Sequence, residues 1–268
     1  MTPPILCKRT FLQITAAMPF LFVRLAAAIV VVALMSGAKA QEACRLPSLG
    51  TAVVTEVRDG RTLILEDGRE LRLTAIEAGE ASRTALEALA AGQILRLEKL
   101  GPETDRYGRV VAIAYAGTMT ESLQQALLLQ GQARVSARTG EKSCAERLLA
   151  AERAARAARR GIWADPNFAP LAAHDVTGIT AIRGKFALVE GKVLSVRESG
   201  ATIYVNFGRR WTEAFAVTIP KRHRRDFAAA GIDPKELEGR RIRVRGWVQQ
   251  RRGPVMEASV PEQIEVVR

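Results

Sequence analysis

Aromatic side chains are scarce in this chain, at 5% of its residues. A nucleic-acid surface made mainly of base-stacking platforms would need more of them, so any such surface here must lean on charge. Histidine is rarer still: His174 and His223 are the two, far apart in sequence, and they propose no transition-metal site. With three cysteines beside them, the counts argue against structural zinc. A membrane-length apolar run is also missing. Leu25–Met35 is apolar over eleven residues, short of the roughly 20 that cross a bilayer as a helix.

That run instead reads as the core of a secretory leader. Arg24 precedes it, and Ala38-Lys39-Ala40 gives a small-x-small cleavage pattern before Gln41. Residues 1–40 are the expected signal peptide, with Met18 as an alternative start. The mature protein would be periplasmic or secreted, without a stable transmembrane span. An uncleaved leader would anchor it in the inner membrane. Gln41-Glu42-Ala43 lacks the apolar residue a lipid-modified Cys44 would want. Cys7 leaves with the leader, so Cys44 and Cys144 remain, enough for one disulfide in an oxidising compartment. The alternative is two unpaired thiols. A bridge closing about 100 residues contributes about 4.7 kcal/mol in the chain-entropy account.

Hydrophobic residues make up 48% of the 268, enough for one large or two small domains. The formal charge of +12 is uneven. Residues 41–173 hold 18 basic and 17 acidic side chains, whereas residues 174–268 hold 18 and 11. Any polyanion-binding argument from bulk charge therefore belongs to the C-terminal part.

Residues 51–57, 62–66 and 69–75 are rich in Val, Ile, Leu and Thr. Asp59-Gly60 and Asp67-Gly68 lie between them, which predicts a three-strand meander. A helix is expected over 80–91, strands over 93–99 and 108–115, and a loop at "GPETDRYG" between those strands. Thr120 can cap a helix that runs to Leu129. Ser143 and Glu146 have capping-box spacing at the head of an Ala/Arg-rich helix that Gly161 closes. Residues 165–175 read as a linker. Strands are then expected over 186–196, 201–206, 214–219, 240–248 and near 263–267, with a short helix start at Asp233-Pro234. That order fits a second small closed barrel. The domains are thus drawn at 41–168 and 176–268.

Charged residues cluster at the predicted strand ends of the first domain. Arg72 and Glu77 lie on or just after the third strand, Glu80 opens the following helix, and Arg109 begins the fifth strand. Arginine grips phosphate oxygens bidentately, and a nearby glutamate can orient or deprotonate water. Taken alone, such charges are more often simply solvated.

The stretches "VRDGRTLILEDG", "LRLTAIEAGE", "TDRYGRVVAIAY", "LLLQGQARV" and "LLAAERAARAARRGIW" give more. In their order and spacing, about residues 50–165 closely resemble the thermonuclease family of calcium-dependent secreted nucleases. The resemblance implies a five-stranded barrel of the oligonucleotide-binding (OB) type with three helices. It also implies a phosphodiesterase site. Arg72 and Arg109 would hold the phosphoryl group, Glu80 would act as general base, and Tyr107 would border the nucleotide pocket. Of the two family aspartates that bind calcium, one falls at Glu77. The other, the second aspartate of a "DGDT" turn, is Arg61 here. Ala78-Gly79 also replaces the family's Thr/Ala-Pro before the final glutamate, which loosens the approach to Glu80.

Calcium wants six to eight oxygen ligands, so a guanidinium in place of a carboxylate should weaken the metal site severely. Either Arg61 pairs with Glu77, with or without Glu80, leaving a protein that binds phosphodiesters but cuts them slowly or not at all. Or Arg61 becomes a third phosphate ligand in a metal-free nuclease. Or it swings to solvent and a cation binds weakly. The competing functions are an exported phosphodiester-binding protein with a degraded calcium site and weak or absent nuclease activity, an active nuclease of DNA or RNA, metal-dependent or metal-independent, and, separately, a non-catalytic envelope interaction protein.

The C-terminal region is similar to an extension found in several alphaproteobacterial thermonuclease-like proteins. Arg241, Arg243 and Arg245 alternate along one predicted strand face, and Arg222 and Arg224 sit in a basic cluster. With Tyr204, Phe207 and Trp247 nearby, these arginines are nucleic-acid-face candidates. The competing readings are a solvated face or an anionic envelope component such as lipid or glycan.

Overall fold

The computed structural model describes residues 44–138, 142–210 and 212–267. The expected leader lies outside them. Residues 43–268 cluster as one compact unit.

The first core is a closed barrel. Its strands are β1 (Ser48–Asp59), β2 (Thr62–Leu65), β3 (Glu70–Leu73), β5 (Ile94–Glu98) and β6 (Val110–Ala116), in the order β1-β2-β3-β6-β5. A two-residue strand β4 (Ile76–Glu77) and helix α1 (Arg83–Ala90) lie between β3 and β5. Helix α2 (Leu123–Leu129), strand β7 (Arg134–Val135) and helix α3 (Lys142–Ala157) follow β6. Alternation puts Val54, Leu63, Leu65, Leu71, Leu73, Leu95 and Leu97 inside, all buried. Gln124 of α2 is also fully buried, and its side chain replaces a strand partner for β6: it donates to Ala112 O (2.8 Å) and accepts from Ala114 N (3.2 Å). Thus the five-stranded barrel with three helices stands as expected, with helix ends shifted. Ser122, not Thr120, caps α2 by accepting from Gln125 N (3.1 Å). Helix α3 stops at Ala157 rather than Arg160, because Arg159 already has φ of 51°.

Residues 165–175 are not a bare connection. After a 3-10 turn at Pro166–Phe168 they form β8 (Leu171–Ala172), then lead into α4 (Val176–Ala181). Strands β9 (Phe186–Lys192), β10 (Ser195–Ser199), β11 (Thr202–Asn206) and β12 (Ala216–Pro220) precede α5 (Arg224–Ala229). Then come β13 (Arg241–Trp247), β14 (Gln249–Gln250), β15 (Pro254–Glu257) and β16 (Ile264–Val266).

The second closed barrel is overturned. These strands form two open sheets, ordered β10-β11-β12-β15-β14 and β16-β13-β9-β8. The expected long strand over 186–196 is broken at Val193-Leu194. Val193 N donates to Arg240 O (2.9 Å) on the β13 side, and Leu194 N donates to Asn206 O (2.8 Å) on the β11 side. Those two residues hand the chain from one sheet to the other, and among the described residues no ladder joins the two sheets. Both sheets still face a single core, built from Val189, Val205, Phe215, Val217, Ile242, Val244 and Met256 among others.

Candidate functional site

The site grows from the β1–β2 turn. Asp59 and Thr62 pair across it, leaving Gly60 and Arg61 at the tip. A Cβ on Gly60 would lie 2.0 Å from Gly79 O and 2.9 Å from the Ser82 Cβ, so only glycine lets the turn press against the approach to Glu80. The Asp59 carboxylate organises the turn. It accepts from Arg61 N (2.8 Å), the Thr62 hydroxyl (2.9 Å) and Arg72 Nη1 (3.3 Å). Burial alone would raise its pKa, but the Arg61 N–H, the Thr62 hydroxyl and the Arg72 charge together hold it below the usual aspartate value.

Arg72 projects from β3 and also donates to the Thr62 hydroxyl (2.6 Å). Burial, then the like charges of Arg61 and Arg109, lower its pKa, while Asp59 and Glu77 work the other way. The arginines therefore feel one another across a shared surface. Arg109 is held through Asp105, whose Oδ2 accepts from Nε (2.8 Å) and Nη2 (2.6 Å). Against the opposing effect of burial, these bonds and the N–H groups of Tyr107 and Arg109 keep the Asp105 carboxyl below its usual range. Tyr107 is 66% exposed, with the Arg109 guanidinium 5.1 Å from its ring centre. A hollow of about 480 Å³ opens beside them, lined by Arg69, Glu70, Tyr107 and Arg109 among others.

Glu77 arrives by a sharp bend. Ala75 has φ of 64°, in the left-handed region a Cβ disfavours, and it turns the chain from β3 into β4. There Arg61 Nη1 meets Glu77 Oε2 at 2.7 Å and donates to Ile76 O at 2.8 Å. Both side chains of the pair are mostly buried. Arg61 does not reach Glu80 in this way. Glu80 stands 70% exposed, and Arg83, at 3.6 Å, is the cation against it.

Residues 67–165 match the family model described as staphylococcal nuclease homologue (SNase). An SNase-like domain is present. The matched stretch carries Arg72, Glu77, Glu80, Tyr107 and Arg109, while the Asp59–Thr62 turn lies just before it. No curated protein matches the chain significantly. Among the described residues, no cluster of three or more His, Cys, Asp or Glu could hold a metal ion, and no helix is long and apolar enough to cross a membrane.

The C-terminal candidates lie outside the SNase-like domain, and their arginines are already engaged. Arg241, Arg243 and Arg245 do alternate along one strand, but only Arg245 reaches α3, while Arg241 stays exposed. Arg245 is 2% exposed and binds Glu152 through two bonds of 2.9 and 3.0 Å, with Val135 O as a further acceptor (3.2 Å). Arg243 lies between Glu190 (2.5 Å) and Glu265 (3.0 Å), and Arg241 donates to Glu190 (2.7 Å). Arg156 of α3 completes the chain between Glu152 (2.9 Å) and Glu265 (3.2 Å). Arg222 stays exposed beside His223, and Arg224 faces Glu198 at 3.5 Å. Cys44 and Cys144 are bridged, with their Cα atoms 4.7 Å apart.

Sequence reasoning passed over Asp59 and Thr62 as turn residues. Their spacing to Arg61 was the available signal, since an aspartate before a Gly-Arg tip can cap the turn with its side chain. It also passed over Glu152 and Arg156, which sit in an Ala/Arg-rich helix that reads as uniformly solvated.

Proposed function

We propose that the SNase-like domain binds phosphodiesters of nucleic acid in an exported protein whose calcium position has been taken over by Arg61, leaving nuclease activity weak or absent. The observation that carries this reading is the Arg61–Glu77 pair at 2.7 Å. A hard dication at this place would need oxygen ligands free to turn inward. Glu77 and the Ile76 carbonyl are instead bound by the guanidinium, and Asp59 is bound by Thr62 and Arg72. On this reading calcium does not fit the pocket, and no step runs through it. Arg72 and Arg109 supply the phosphate grip by exchanging their present partners, Asp59 and Asp105, for phosphate oxygens. The disulfide supports an oxidising compartment, and so the export part of the reading.

A second reading has one observation in its favour. Glu80 is exposed and free of Arg61, so it keeps the freedom to act as a base toward water in a metal-independent nuclease.

The deciding experiment measures both binding and turnover. Native protein should bind an oligonucleotide with an affinity that falls with salt and falls again on Arg109→Ala. It should release no more acid-soluble product than Arg109→Ala or Glu80→Gln across a calcium titration. Arg61→Asp should gain calcium-dependent cleavage if the rest of the site is intact. Native turnover that Glu80→Gln abolishes would overturn the proposal in favour of the second reading.

A further inference from the structure

Arg134 is a half-buried cation whose neighbouring carboxylates are already taken. It sits on β7 directly opposite Glu77 of β4. Glu77 is bound by Arg61 at 2.7 Å, and Glu152 by Arg245 and Arg156 at 2.9 Å each. No carboxylate among the described residues forms an ion pair with Arg134. Its guanidinium lies 5.5 Å from the Phe168 ring centre and 5.1 Å from that of Phe186, and it donates to Phe186 O at 3.2 Å. Burial pulls its pKa down, and the charges of Glu152 and Glu77, beyond ion-pair distance, work against that. A cation withdrawn from water without a counter-charge is unfavourable, and an anion placed against it offsets the penalty.

The same guanidinium lines a cleft of about 620 Å³, a size common among ligand pockets. Its walls come from both parts of the chain: Ala78 and Gly79 on the SNase-like side, Phe186 and Leu188 of β9 on the other. Ile162, Leu171 and Ile182 extend a lining that is mostly apolar. Polar groups that could read a peptide backbone or a nucleobase are few and partly spent. The Ser82 hydroxyl donates to Gln132 O, and Glu77, the acid in the lining, is held by Arg61. One desolvated guanidinium in an apolar cleft matches a ligand with one compact anionic head and a hydrocarbon body. A carboxylate suits that head, because the planar fork can donate two parallel bonds to it.

We propose that this cleft binds an amphiphilic monocarboxylate of the fatty-acid type, with its head on Arg134 and its alkyl chain along Ile162, Leu171, Ile182 and Leu188. Arg72 and Arg109 do not line the cleft, so the site is separate from the phosphate grip. The inference goes beyond the phosphodiester reading and stands or falls without it.

The test titrates the full chain by calorimetry with decanoate, decanol and butanoate, all below micelle-forming or solubility limits. Decanoate should bind at a single site, about 10-fold or more tighter than decanol, which lacks the charge, or butanoate, which lacks the chain. Arg134→Gln should weaken decanoate about 10-fold and leave decanol unchanged, and Arg134→Lys should restore part of the loss. Ile182→Asp, on the apolar wall, should weaken decanoate and decanol alike. Thymidine 5′-monophosphate should not displace decanoate. Native protein that binds decanoate no tighter than decanol, or takes up many copies without saturating, would overturn the site whatever the variants do. Unchanged decanoate affinity in Arg134→Gln would overturn it too, as would equal losses of decanoate and decanol in that variant. Displacement by the monophosphate would move the carboxylate to Arg72 and Arg109, and so overturn the cleft as its site while leaving the phosphate reading intact.

Discussion

At the scale of single residues, the outcome turns on which charges hold which oxygens. Asp59 is bonded to a backbone N–H, a hydroxyl and a guanidinium, so its carboxylate form is favoured in the folded protein. Its pKa is depressed, so its contribution to stability is present above the ordinary aspartate range and is lost as pH falls through the lower folded value. Asp59→Asn should therefore cost about 1 kcal/mol near neutrality, a figure kept small because the carboxylate is partly solvated. The gap between variant and native should close in acid, as read by urea unfolding at several pH values. Arg61 was legible in the sequence because the resemblance to the thermonuclease family puts a carboxylate where this chain has a guanidinium. Its partner was legible only as a choice among Glu77, Glu80 and solvent. Chain geometry made that choice, because the bend at Ala75 carries Glu77 and the Ile76 carbonyl to the guanidinium while Glu80 continues outward.

At the scale of elements, a buried ion pair joins α3 to β13. Glu152 and Arg245 are almost wholly buried and bound bidentately, and Glu152 also accepts from Val135 N (2.6 Å). Removing one partner of such a pair strands the other without compensation. Arg245→Met should cost about 3–5 kcal/mol. Adding Glu152→Gln, which keeps an acceptor for Val135 N, should return more than half of that in a double-mutant cycle measured by chemical denaturation. Glu190 and Glu265 lie in the same network, and each has a depressed pKa: burial opposes it, and Arg241, Arg243 or Arg156 override that. Their stabilisation exists above the ordinary glutamate range and disappears as pH drops through the lower folded values. Thermal stability of native protein should therefore fall more steeply in acid than that of Glu265→Gln.

The same elements show why the two parts of the chain were not equally readable. Strict alternation and Asp-Gly turns mark the first barrel in the sequence. In "VEGKVLSVRES" the adjacent apolar pair Val193-Leu194 breaks strict alternation, but a break of one residue reads equally well as a bulge within a single strand, so it does not mark a change of sheet. Alternation likewise puts Arg241, Arg243 and Arg245 on one face, but it carries no information on which carboxylates from elsewhere meet them.

At the scale of the whole molecule, the disulfide ties the segment before β1 to α3 across a separation of 100 residues. Reduction should lower stability by about 4–5 kcal/mol, equivalent to roughly 10 °C in Tm for a protein of this size. Differential scanning with and without reductant checks this, and a Cys44→Ser/Cys144→Ser variant that no longer responds to reductant serves as the control. The excess positive charge of residues 174–268 lends itself to a simple picture of a basic arm beside a neutral domain. The ion network changes that picture, since Arg241, Arg243 and Arg245 are spent on internal carboxylates.

The buried pair between Glu152 and Arg245 also bears on how such a chain can evolve. A segment attached only by a tether can be shuffled, lost or grafted onto other proteins at little cost. Here each half carries a buried charge whose counter-charge is encoded about 90 residues away in the other. Recombination that separated them would leave an orphaned ion on both sides of the cut. Splitting the SNase-like domain from its C-terminal sheets should therefore cost stability on both sides, and a substitution at position 152 should be tolerated better when position 245 changes with it.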